Sequence, residues 1–121
     1  MCQICSDTET TLVVHHRCYL HNIDPWDYPS EYLVTLCEDC HETEREAMKE
    51  FEPLLLQQIK SKFFADDIRR LALGFSNLEL WTASEVVASV YCWALSSVEA
   101  QRTLMDMFRA DTVERIKDAK A

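Results

Sequence analysis

Two short spacings dominate the chemistry open to this sequence. Cys2-Gln-Ile-Cys5 and Cys37-Glu-Asp-Cys40 are Cys-x-x-Cys pairs, each able to wrap its backbone around one side of a tetrahedral ion. Zinc accepts four thiolate sulfurs at about 2.3 Å, and such closed sites hold structure rather than perform catalysis. Six cysteines in a secreted miniprotein would read as a disulfide framework. Here no basic-then-apolar export segment follows Met1, and four of the six fall in the two pairs. The spacing therefore predicts one structural Zn²⁺ held by Cys2, Cys5, Cys37 and Cys40. Cys18-x-x-His21 also has ligand spacing and stays open as a substitute for one pair or as a second site. Otherwise Cys18 and Cys92 read as small buried or half-buried residues.

These ligands need elements to bring them together. Thr11–Val14 and Leu33–Leu36 are β-branched or aliphatic runs that predict two short strands. The stretch Asn22–Glu31, with Pro25, Pro29, Trp26 and Tyr28, predicts an ordered loop whose two aromatics plug the small core. A helix is expected from about Asp39 through Glu46 or beyond, acidic at its start as the helix dipole prefers. Composition changes near residue 47. Beyond it, Pro53 suggests the first turn of a new helix carrying Leu55, Leu56, Ile59 and Phe63. A short helix is expected around Ile68–Phe75. Thr82 with Glu85, Ser96 with Glu99, and Asp111 with Glu114 then read as three successive helix starts. Ala83, Val86, Val87, Val90, Tyr91 and Ala94 form one stripe. The expected architecture is mainly α: a zinc-bound ββα head of treble-clef type over 1–47 and a helical bundle over 48–121.

Charge separates the same two regions. Residues 1–47 hold two basic side chains, Arg17 and Arg45, against ten acidic ones, a net of −8 out of the chain's −9. Such a head repels a polyanion, because affinity for nucleic acid comes largely from Lys and Arg on phosphates. The longest apolar stretch, Val86–Leu95, is about half of a bilayer span, so no membrane partner is expected and the cytoplasm is the expected compartment.

The segment Leu12-Val-Val-His15-His16, then Pro25-Trp-Asp-Tyr-Pro29, then Leu33-Val-Thr-Leu-Cys37-Glu-Asp-Cys40-His41 resembles the HNH endonuclease family. The likeness covers residues 1–47, and small proteins of this kind occur in bacteria and their phages. It implies a ββα-metal fold, with the four-cysteine zinc beneath the site. It also implies that His15 and His41 are ligands of a catalytic divalent ion (Mg²⁺, Mn²⁺ or Ni²⁺) and that His16 is the general base. An imidazole with a pKa of about 6.5 suits that last role at neutral pH. The sequence departs from the family at Tyr32, where an asparagine often orients the base, and at Arg45, where a further histidine ligand often stands. Glu44 reads as an exposed helix residue or a substitute oxygen ligand.

These features imply an HNH-like module with weak or lost nuclease activity that acts through a protein partner. Two alternatives remain: an active metal-dependent endonuclease cleaving DNA, and an acidic inhibitor that imitates nucleic acid toward a basic protein.

Overall fold

The computed structural model describes residues 1–120. Among the described residues, four α-helices, a 3-10 turn at Ser30–Tyr32 and a two-stranded antiparallel sheet make the chain mainly helical. β1 (Leu12–His16) pairs with β2 (Leu33–Cys37), and α1 (Glu38–Lys60) follows β2 without a gap. The remaining helices are α2 (Ala65–Ser76), α3 (Ser84–Ser96) and α4 (Val98–Lys120). The chain divides into two units, Met1–Leu71 and Ala72–Ala121.

In the first unit both strands run slightly longer than expected, so that His15 and His16 end β1 and Cys37 ends β2. His15 lies opposite Val34 and His16 opposite Leu33. Successive strand side chains point to opposite faces. His15 thus shares the face of Leu36, whereas His16 shares that of Cys37. The core is small: Cys2, Leu36 and Cys37, with Leu12, Val34 and Cys40 packed against them. Half of those six residues are thiols.

α1 runs unbroken through residue 47 and carries Pro53 in its interior. Pro53 therefore does not begin a helix. Neighbouring turns and the good helix formers on either side carry the helix across a residue that costs about 3 kcal/mol in such a place. The plug is also half of what the sequence suggested. Tyr28 is buried, but Trp26 is 80% exposed, because the flanking Asp24 and Asp27 keep that part of the loop in water.

In the second unit α3 packs on α4 through Val87, Ala94 and Ala100. The helix starts also shift. α3 has Ala83 at its N-cap with no side-chain hydrogen bond. At α4 the hydroxyl of Ser97, not Ser96, accepts from the Ala100 N–H at 3.1 Å. Asp111 does not open a helix; it lies inside α4, paired with Arg115 at 2.8 Å. No helix is long and apolar enough to cross a membrane among the described residues.

Candidate metal centre and histidine cleft

The two Cys-x-x-Cys pairs converge. One ligand atom from each of Cys2, Cys5, Cys37 and Cys40 lies within 4.8 Å of all the others. The Cys5 and Cys37 sulfurs are 3.8 Å apart, and four sulfurs bound tetrahedrally to one zinc ion stand about 3.8 Å from each other. The donor set and its spacing fit zinc. Cys18 and His21 belong to no such group among the described residues.

Local hydrogen bonds set each pair. The Gln3 N–H donates to the Thr35 carbonyl at 2.9 Å, and the Gln3 side-chain oxygen accepts from the Thr35 N–H at 2.7 Å. The first pair is thereby docked on the edge of β2 that β1 leaves open. Its turn closes by a bond from the Ser6 N–H to the Cys2 carbonyl at 2.9 Å, with Ser6 in the left-handed region at φ 66°. The second pair sits where strand becomes helix. The Cys37 sulfur caps α1 by accepting from the Cys40 N–H at 3.4 Å.

The thiols titrate far apart. Backbone N–H groups, that of Cys5 foremost, bring Cys2 down to about 6. The Cys37 thiol, burial and the other two sulfurs push Cys40 up to about 12. One thiolate forms readily and the last is resisted by its neighbours, a repulsion that a bound divalent cation removes.

Above this centre the histidines gather. His15 from β1 and His41 from the first turn of α1 stand edge to face, ring centres 5.1 Å apart. Burial, then the nearby His41, lowers the pKa of His15 and so favours the neutral, ligating form. Half-buried Glu44 acts in the opposite direction on His15.

His16 turns the other way. Its Nε2 lies 3.3 Å from the Pro25 carbonyl oxygen, its ring meets Tyr28 edge-on at 4.9 Å, and Tyr19 stacks on it at 5.5 Å. A carbonyl only accepts, so the ring donates through its Nε2–H, and in the neutral tautomer with that proton Nδ1 holds the lone pair. Tyr32 takes no part in holding the ring; its carbonyl accepts from the Arg17 N–H at 2.8 Å.

His15, His16 and His41 line one open cleft of about 720 Å³ together with Arg17, Cys18, Tyr19, Arg45, Lys49 and the acidic Glu52. Both cations of the acidic head are therefore in this cleft. Arg45 is paired with Glu42 at 3.2 Å and Lys49 with Glu46 at 3.0 Å, all four side chains more than half exposed. Such exposed pairs are weak. Sequence reasoning missed Lys49 and Tyr19. His41, Arg45 and Lys49 recur every four residues, the helical spacing that would have put Lys49 on the site's face. Nothing periodic marks Tyr19.

No family model, curated protein or solved structure matches this chain. The reading of the site therefore rests on its own residues.

Proposed function

We propose that the protein is a zinc-stabilised HNH-like module that binds a nucleic-acid phosphodiester at the histidine cleft, hydrolyses it weakly or not at all, and works with a protein partner. The observation that carries this reading is the pairing of His15 with His41 across strand and helix, 5.1 Å between ring centres. Two imidazoles sharing one ion at about 2.1 Å per nitrogen have ring centres roughly 5 Å apart. His15 and His41 would hold a divalent ion, and such an ion neutralises charge on a phosphate and on a leaving oxygen. Arg17, Arg45 and Lys49 supply cations for the flanking phosphates.

Two features argue for slow or absent turnover. Among the described residues, no third histidine, cysteine or carboxylate is grouped with His15 and His41 as a ligand set. Arg45 also brings a positive charge into the cleft where another ligand would help. The partner is supported by the apolar side chains that the helices leave uncovered, among them Phe51, Leu55, Phe64, Phe75 and Phe108.

The test is a cleavage assay on plasmid and single-stranded DNA with Mg²⁺, Mn²⁺ and Ni²⁺, run beside His16→Ala and paired with calorimetry of the zinc-loaded protein. The expected result is one further ion per chain, lost in His41→Ala, with trace cleavage at most. Failure to bind any ion beyond zinc would end the proposal. Efficient nicking abolished by His16→Ala would replace it with the active endonuclease, a reading that the Pro25 carbonyl bond to His16 favours.

A further inference from the structure

Tyr19 is the aromatic residue of the cleft, and neither the zinc centre nor the proposed divalent ion employs it. Its side chain is 83% exposed, yet its backbone is pinned. The Leu20 N–H donates to the Tyr28 hydroxyl at 2.8 Å, that hydroxyl donates back toward the Leu20 carbonyl at 3.4 Å, and Tyr28 itself is buried. One face of the Tyr19 ring rests on His16, with the planes 16° apart. Its exposure leaves the other face open to solvent, in a cleft that Arg17, Arg45 and Lys49 also line.

Flat aromatic faces next to Lys and Arg are how proteins hold single strands: the cations track phosphates and the ring stacks on a base. Trp26 supplies an internal contrast, because it is as exposed as Tyr19 but stands between Asp24 and Asp27 and outside the cleft. Bases inside a duplex are already stacked on each other, so a single projecting ring finds a partner only where a base is unpaired.

We infer that Tyr19 is a nucleobase-stacking platform, which makes the substrate class of the cleft a strand with an unpaired base rather than continuous duplex. The inference rests on the phosphodiester reading above and specifies its ligand.

The experiment measures fluorescence anisotropy of the zinc-loaded full chain with two labelled probes. One is an oligothymidylate; the other is an abasic strand with the same number of phosphates. The wild type should bind the oligothymidylate roughly tenfold more tightly than the abasic strand. Tyr19→Phe and Trp26→Ala should keep that preference. Tyr19→Ala should remove it by weakening oligothymidylate binding alone.

Equal affinity of the wild type for both probes, or a preference that survives Tyr19→Ala, overturns the platform while leaving the phosphodiester reading in place. A Tyr19→Ala protein that loses both probes alike shows that the ring only supports His16, and also overturns it. Binding of neither probe by the wild type removes the phosphodiester reading and the platform together.

Discussion

Cys37 occupies a corner of the sulfur cluster, ends β2 and caps α1. Replacing it by serine separates these duties, since a hydroxyl is a good helix cap but a poor zinc ligand. Cys37→Ser is expected to lose zinc by elemental analysis and to unfold the head as fully as Cys37→Ala does; retained zinc would refute the ligand assignment. Proton competition gives a second prediction at this scale. Metal binding must displace protons from the cluster, where Cys2 stands at about 6 but Cys40 at about 12. Apparent zinc affinity should therefore rise between pH 6 and 8, by roughly tenfold or more per unit, in a chelator-competition titration. A flat profile would contradict thiolate ligation. The four ligands were legible in the sequence because each pair is a local turn, and spacing alone defines it. Tyr19 and the Pro25 carbonyl were not. Their positions depend on the path of a loop that is fixed by one tyrosine hydroxyl, and no sequence period encodes such a bond.

Among the elements, the two strands and the helix after them follow from β-branched runs and an acidic first turn, and the structure places them within a few residues of expectation. The helical part was read less well, for physical reasons that can be tested. Pro53 resembles a helix start in sequence, yet it costs α1 one hydrogen bond from within. Pro53→Ala should therefore raise the stability of the first unit by about 1–3 kcal/mol in thermal melts of the zinc-loaded protein. No gain would mean that α1 is broken there in solution. Ser96 and Ser97 are adjacent capping candidates that no pattern distinguishes. The Ser97 bond to Ala100 decides between them, so Ser97→Ala should cost about 1 kcal/mol and Ser96→Ala nearly nothing. The reverse order would move the start of α4. Asp111 shows the same ambiguity: Asp-x-x-Glu occurs inside helices as well as before them, and only continuous backbone bonding tells the two apart.

For the whole molecule, formal charge and local charge point in different directions. The chain carries −9, yet Arg17, Arg45 and Lys49 line the cleft of His15, His16 and His41, with Glu52 the one acidic residue of that lining. The buried side chains tell a similar story of concentration. They cluster at the sulfur centre and at the α3–α4 contact, while apolar residues such as Leu55, Phe64, Leu95 and Phe108 stay open to water. Native zinc-loaded protein is accordingly expected to bind the apolar dye ANS strongly, and weak binding would mean that these faces are covered in solution. α1 connects the two kinds of surface. It begins with Cys40 and His41 and ends with the apolar turn at Leu55, Leu56 and Ile59, about 25 Å farther along its axis. A stiff rod of that length behaves as a lever. A load at its far end would travel along it toward His41, and Pro53, lying between, removes one of the hydrogen bonds that keep it stiff.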